Sequence, residues 1–507
     1  MTAERKQPAR PAAHRRHFRT VIVGTGFSGL GMAIRLLRDG ERDFVLLERA
    51  DEVGGTWRDN TYPGCRCDVP SHLYSFSFAP NPNWSSTFSP QPEILEYLRD
   101  VARRFGVMPH VRFRTELQSA DWDEDEARWQ IETSQGPMTA EVLVLGPGPL
   151  SEPLVPDLPG LDSFEGTAFH SAQWDHGHEL GGERVAVIGT GASAIQLVPE
   201  IQPRAGQMHV FQRTPPWVMP HPNRRMSGLE RGIYRRLPLA QLAMRGGIYW
   251  ARESFVLGFR HRVAGRLMER MALRHLEDQV PDPELRAKLR PSYAMGCKRI
   301  LPTDEWYPAL MKPNVELVTE GIREVRPRSI VTDDGVERDV DTIVFGTGFH
   351  VTDIPVGALV RGRDGRSLSE AWDGSPEAYK GAAVAGYPNL FFLVGPNTGL
   401  GHNSIVFMIE SQVNYVAGAL RAMRRRDART VEVRPEAQAA YNREIQEKTR
   451  GTVWVSGGCS SYYIDRNGRN STLWPTFTWP FRRRTREFDE GAYALGAPAP
   501  QPAAAAA

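Results

Sequence analysis

Cysteine is scarce, with four in 507 residues, at 65, 67, 297 and 459. They are too few and too scattered for a disulfide framework, and a reducing compartment is expected. Cys65 and Cys67 stand one residue apart, whereas a redox dithiol or zinc knuckle needs at least two between its sulfurs. Both are read as structural thiols, and no metal set is expected. Long apolar runs are missing too. The longest uncharged stretch, 381–409, is broken by Pro388, Asn389, Pro396, Asn397, His402 and Asn403, whose polar groups lipid would leave unsatisfied. No transmembrane segment is expected. The first 20 residues hold no apolar run of secretory length, so nothing directs export and a cytoplasmic location is the expectation. Neither charge sign is in excess. Lys and Arg number 62 against 60 Asp and Glu, a formal +2, which gives no argument for a nucleic-acid partner.

The chain is long enough for several cores, and its 41% apolar and 24% charged residues are ordinary for a globular protein. Its most informative feature is a repeated unit of strand, glycine turn and helix. The first copy, TVIVGTGFSGLGMAIRLLRDG, places Gly24, Gly26 and Gly29, with Phe27 and Ser28 between them, after an apolar strand. Glycine there tightens the turn and lets the backbone approach a pyrophosphate at a helix N-terminus. The next strand, FVLLERA, ends in Glu48, a carboxylate able to accept hydrogen bonds from ribose hydroxyls. The second copy, RVAVIGTGASAIQLVPEI, gives Gly189, Thr190, Gly191, Ala192 and Ser193, and its following strand ends in Arg213, with Thr214 next. Gly24 to Glu48 and Gly189 to Arg213 are both 24 positions. The same slot thus holds an acid in one unit and a guanidinium in the other, and only the guanidinium pairs with a 2′-phosphate. The first cradle suits FAD or NAD, and the second suits NADPH. A flavin dinucleotide beside a reduced nicotinamide implies hydride transfer.

Two longer strings narrow the chemistry. GGTWRDNTYPGCRCD runs from Gly54 to Asp68, and FEGTAFHSAQWD from Phe164 to Asp175. On these the chain resembles the flavin-dependent Baeyer-Villiger monooxygenases. Phe164, Gly166, His170, Trp174 and Asp175 match one family fingerprint, and Gly54, Gly55, Trp57, Tyr62, Pro63, Gly64 and Asp68 match the other. The likeness continues through QRTPPW, GCKRILPTDEWYP, DTIVFGTGF and GYPNLFFLVGPNTGLGHNS. It implies an NADPH- and oxygen-dependent FAD monooxygenase that inserts oxygen next to a ketone carbonyl through a flavin peroxide, giving an ester or lactone. By the resemblance, Arg299 is the catalytic guanidinium and Asp68 its carboxylate partner. Arg213 and Lys298 hold the NADPH 2′-phosphate, and Glu48 takes the FAD ribose. Gly55, Thr56, Trp57, Cys67, Tyr74, Leu117 and Ile405 adjoin the cofactors, and His170 links the two nucleotide domains. One departure stands out. Where the family commonly has Ser-Trp-Tyr with its Trp on the NADP ribose, this chain has Ser461-Tyr462-Tyr463, and Tyr462 inherits the role.

The expected fold is α/β, with two Rossmann-like dinucleotide-binding domains and a helical insertion. An FAD domain built from 18–150 and 340–485 is interrupted by an NADP domain at 151–339. LVLGPGPLSEP and DTIVFGTGF mark the two crossings. Residues 1–17 and 486–507 are expected to be disordered. Inside the NADP domain, about 223–295 shows mixed apolar and Arg-rich helical spacing with no strand pattern. A solvated face is the expectation for its arginines, with contact to anionic lipid as the alternative. Met244, Tyr249, Trp250 and Met268 either shape a ketone pocket or pack the insertion. Competing functions are oxidation of amine or sulfide heteroatoms and a non-catalytic NADPH-sensing flavoprotein; a disulfide reductase lacks its cysteine pair. Which ketone is used and the oligomeric state stay open.

Overall fold

A computed structural model describes residues 16–496. The chain opens with the strand Arg16–Val23, whose buried residues Val21 and Ile22 pair with Leu143 and Val144 on one side and with Val45 and Leu46 on the other, all in parallel register. Strands apolar on both faces are buried on both faces, which is the condition for a parallel sheet covered by helices. Across this eight-stranded sheet the order runs Val360–Arg361, Leu117–Asp123, Arg128–Thr133, Met138–Leu145, Arg16–Val23, Phe44–Leu47 and Val111–Arg112, with Leu390–Phe392 pairing to Met138–Leu145. The helix Phe27–Arg38 packs its buried face against the long helix Ile405–Arg426.

A second sheet of five strands is parallel throughout, in the order Val315–Val318, Gln207–Phe211, Arg184–Ile188, Thr342–Phe345 and Thr167–His170. The two doubly wound sheets are the expected pair of dinucleotide-binding folds. The chain leaves the first sheet after Leu145 and returns after Phe345. Both crossings thus fall at the glycine-ended strands, but Thr342–Phe345 pairs with Arg184–Ile188, so the return lies beyond the boundary expected at 340. Between 228 and 289 the chain forms the helices Gly228–Arg236, Pro238–Ser254, Val256–Arg260, Arg262–Gln279 and Pro283–Leu289, the helical insertion. Among the described residues no helix is long and apolar enough to cross a membrane.

Two terminal expectations need correction. Arg16 and His17 belong to the first strand, and residues 1–15 lie outside the described part. At the other end, Tyr493–Gly496 pairs antiparallel with Thr430–Val433. The Asp489 carboxylate accepts hydrogen bonds from Tyr379 Oη, Tyr415 Oη and Lys380 Nζ. Buried Tyr493 packs on Phe488. These contacts order 486–496, where disorder was expected, while 497–507 lie outside the described residues.

Candidate active site

Both glycine turns emerge at the carboxyl ends of central strands. Gly24 adopts φ +96°, and its N–H donates to Leu47 O at 2.8 Å. A Cβ at Gly24 would lie 2.5 Å from Gly146 O, and one at Gly29 would collide with the Gly24 carbonyl, so both positions exclude every larger residue. The second turn repeats the construction. Gly189 has φ +110°, donates to Phe211 O at 3.1 Å, and would place a Cβ 2.5 Å from Gly346 O.

The residues after each second strand differ as the sequence indicated. Glu48 is buried, and its Oε2 accepts from Thr25 Oγ1 at 2.5 Å and Thr25 N at 3.2 Å. Its Oε1 accepts from Ala50 N at 3.0 Å and meets Arg58 Nη1 at 2.8 Å. Arg58 is a partner that the sequence did not flag. Arg213 is exposed at the other cradle, and Thr190 Oγ1 donates to Thr214 O at 3.2 Å. Lys298 Nζ lies 5.4 Å from the centre of the Tyr293 ring. Burial, and then the neighbouring Arg213 charge, push the Lys298 pKa down. Neither cation has a carboxylate partner among the described residues. Two adjacent unpaired cations repel until an anion enters between them, which is the donor set that a 2′-phosphate requires.

Arg299 is fixed in the opposite way. Its Nε donates to Asp68 Oδ2 at 2.8 Å, its Nη2 to Asp68 Oδ1 at 2.7 Å, and its Nη1 to Leu400 O at 3.2 Å. Burial alone would raise the Asp68 pKa, but the Arg299 charge and hydrogen bonds, with Arg252 behind them, outweigh it and hold the carboxyl below its ordinary 3.8. The Asp68 charge raises the Arg299 pKa further. Both groups are therefore ionised at every working pH.

Around them, Trp57 Nε1 donates to Tyr74 Oη at 3.1 Å, and the Tyr74 ring meets Phe27 edge-on at 5.2 Å. Cys65 and Cys67 are buried free thiols, and burial pushes Cys65 up to about 12. A single cavity of about 1580 Å³ joins the two cradles. It is lined by Gly24, Gly26, Phe27, Ser28, Glu48, Gly55, Thr56, Trp57, Cys67, Asp68, Tyr74, Leu117 and Ile405 from the first body. From the second come Gly189, Thr190, Gly191, Ala192, Ser193, Arg213, Thr214, Lys298 and Arg299, and Tyr462 enters from the part of the chain that follows the return to the first sheet. Of the residues expected at the site only Gly29 is absent from this lining; it lies against the turn's own backbone. His170 is buried at the crossing, where its ring meets Phe349 at 5.5 Å, a place suited to linking the two sheets. Met244, Tyr249, Trp250 and Met268 do not line the cavity. Tyr249 stacks on Phe407 and bonds Thr478 instead.

Besides Arg58, sequence reasoning missed three features. Arg252, from the insertion, faces the Asp68–Arg299 pair with its Nε buried and unpartnered. Glu253, also in the insertion, accepts from Asn403 Nδ2 at 2.6 Å and Thr478 N at 2.9 Å, tying that helix to a cavity-lining loop. The third is a pairing that the sequence did not announce: Cys297 and Cys459 form a disulfide across 162 positions, while Cys65 and Cys67 stay free as expected. It joins the segment carrying Lys298 and Arg299 to the loop carrying Tyr462. Closing so long a loop contributes about 2–4 kcal/mol. Replacing both cysteines with serine is expected to lower the denaturant midpoint accordingly, and adding reductant to the native chain should do the same. Equal midpoints in both experiments would show the link to be idle.

A family model described as FMO-like, Flavin-binding monooxygenase-like, matches residues 17–356. A Streptomyces coelicolor protein named Baeyer-Villiger monooxygenase is 53% identical over 486 residues, covering 96% of this chain and 94% of its own. A protein of that name from Pseudomonas aeruginosa is 52% identical over 493 residues, covering 96% and 93%. Among solved structures, a closed cyclohexanone monooxygenase superimposes with TM-score 0.86 at 29% identity, covering 96% of this chain and 100% of that one. An oxidized steroid monooxygenase bound to NADP gives TM-score 0.84 at 31% identity, covering 95% and 100%.

Proposed function

Since the chain belongs to the flavin-binding monooxygenase-like family, we infer that it is a Baeyer-Villiger enzyme. It uses FAD and NADPH with dioxygen to place one oxygen atom next to a ketone carbonyl, giving an ester or lactone. The observation that carries this reading is the bidentate Arg299–Asp68 pair in the cavity shared by both cradles. Both glycine turns fit a pyrophosphate, because carbonyl oxygens fill the space that any Cβ would need. Bound FAD supplies the redox chemistry, accepting electrons from NADPH and passing them to dioxygen.

The remaining work falls to the protein. Glu48 orients the FAD ribose, with Thr25 and Arg58 fixing its carboxylate. Arg213 and Lys298 grip the 2′-phosphate that distinguishes NADPH from NADH. Arg299, permanently protonated, opposes the negative charge that develops on the ketone oxygen when its carbonyl carbon is attacked. Asp68 aims that guanidinium and takes no proton from substrate. Tyr462 closes the nicotinamide side against water. A cytoplasmic, NADPH-supplied setting completes the proposal.

The direct test follows NADPH and oxygen consumption by the purified yellow protein, with products identified from linear, cyclic, aryl and polycyclic ketones. Ketone-stimulated NADPH use with ester or lactone formed supports the reading, and hydrogen peroxide as the only product rejects it. Tyr462→Ala is expected to raise the KM for NADPH and the fraction of NADPH diverted to hydrogen peroxide. If neither quantity changes, the Tyr462 loop has been given the wrong task. Asp68→Ala strands the Arg299 cation in a partly buried site and is expected to cost about 3–5 kcal/mol of stability, read by thermal or denaturant unfolding. The contribution has a defined acid limit. With the folded pKa of Asp68 depressed, it is present above the ordinary carboxyl range and disappears as pH falls through the folded value.

A further inference from the structure

The helical insertion is polar on the wrong side. In Pro238–Ser254 the hydrogen-bonding side chains turn inward: Gln241 Nε2 donates to Asn81 O at 2.7 Å, Arg245 Nη1 to His72 O at 2.6 Å, and Glu253 is buried among Asn403 and Thr478. The outward positions, Leu239, Leu242, Ala243, Gly247, Trp250 and Ala251, follow helical spacing and include no charge. Leu239 is 79% exposed and Trp250 62%. An ordinary surface helix buries such a stripe.

Arg262–Gln279 presents a second pattern. Arg262-Val263, Arg266-Leu267 and Arg270-Met271 repeat an arginine and an apolar residue every four positions, and all six side chains are exposed, Val263 at 82%. From 225 to 274 there are eleven arginines and three acids. None of those acids is free. Glu230 pairs with Arg224, Glu253 is buried, and Glu269 accepts from Met295 N. The chain as a whole is close to neutral, so this is a local concentration of positive charge.

We propose that the insertion docks on an anionic phospholipid surface, with the apolar stripes entering the interface and the exposed arginines meeting lipid phosphates. Charge decides between occupants. A second copy in a two-fold contact would set the same arginine-rich surface against itself, with exposed acids only at Glu277 and Asp278 at the end of Arg262–Gln279, whereas a leaflet containing anionic lipid supplies both the opposite charge and an apolar layer. Long arginine side chains beside Val263, Leu267 and Met271 can lay their stems on apolar surface while the guanidinium stays at headgroup level. The docking is independent of the oxidation chemistry, since none of the stripe residues lines the cavity.

The test is co-sedimentation of the full FAD-loaded chain with phosphatidylcholine vesicles, with and without phosphatidylglycerol, at low and high salt. Binding is expected to the anionic vesicles at low salt and to fall when salt is raised. Arg266→Gln and Arg270→Gln should each weaken it about fivefold. A Leu242→Ser/Trp250→Ser variant should lose binding while retaining NADPH consumption, which certifies its fold. Absence of binding to anionic vesicles overturns the proposal, as does equal binding to pure phosphatidylcholine. A concentration-dependent dimer that the Leu242→Ser/Trp250→Ser change dissolves, without any vesicle binding, would assign the surface to a second copy and overturn it equally.

Discussion

Arg299→Ala is expected to reduce ester formation from ketones by about 10²–10³-fold, the usual cost of removing a fixed donor from a developing oxyanion. The loss should fall on kcat, because the interaction grows only as the carbonyl oxygen gains charge. FAD should remain bound, since Glu48 and the Gly24 turn are untouched. The variant also leaves Asp68 with Arg252 as its cationic neighbour, so the Asp68 pKa should rise toward the ordinary range. Arg299→Lys is expected to recover little. A point charge cannot reproduce two parallel donations to Asp68 together with a third to Leu400 O. Product analysis beside a sulfide substrate separates the chemistries. Selective loss of ester with sulfide oxidation retained fits the assigned role, and unchanged ester yield would remove Arg299 from the reaction.

The second large effect concerns coenzyme choice. Each charge-assisted hydrogen bond to a phosphate is worth about 1.5–3 kcal/mol. Arg213→Ala together with Lys298→Ala should therefore erase a preference for NADPH over NADH of about 10²–10⁴-fold in kcat/KM. NADH, which lacks the phosphate, should lose little and serves as the internal control. Because the two cations already repel each other, either single variant relieves its neighbour, and the two losses should not add. A double variant that keeps its NADPH preference would place the 2′-phosphate elsewhere.

The two cradles were legible because their requirement is written in residue type. A turn whose Cβ position is filled by a carbonyl admits only glycine, as Gly24 and Gly189 show, and the acid or base that follows was countable along the chain. Asp68 and Arg299 were legible through the motif strings around them, although 231 positions separate them. The Cys297–Cys459 link was not, since nothing local to either cysteine announces a partner 162 positions away. The pairing of Tyr493–Gly496 with Thr430–Val433 was hidden for the same reason and by the low-complexity sequence just beyond it. In the insertion, periodicity disclosed two faces but not which of them points inward. Arginine was expected in solvent, yet Arg245 and Arg252 reach toward the FAD-side residues while Leu239 and Trp250 face out. Arg252 joined the Asp68–Arg299 pair without a local signal, because its place depends on how a whole helix is seated.

Gly146 and Gly346 belong to the two stretches by which the chain leaves one sheet and enters the other, and their oxygens press on Gly24 and Gly189. The floor of each glycine turn is thus a stretch that also carries the chain from one sheet to the other, so one short segment serves both the seat and the connection.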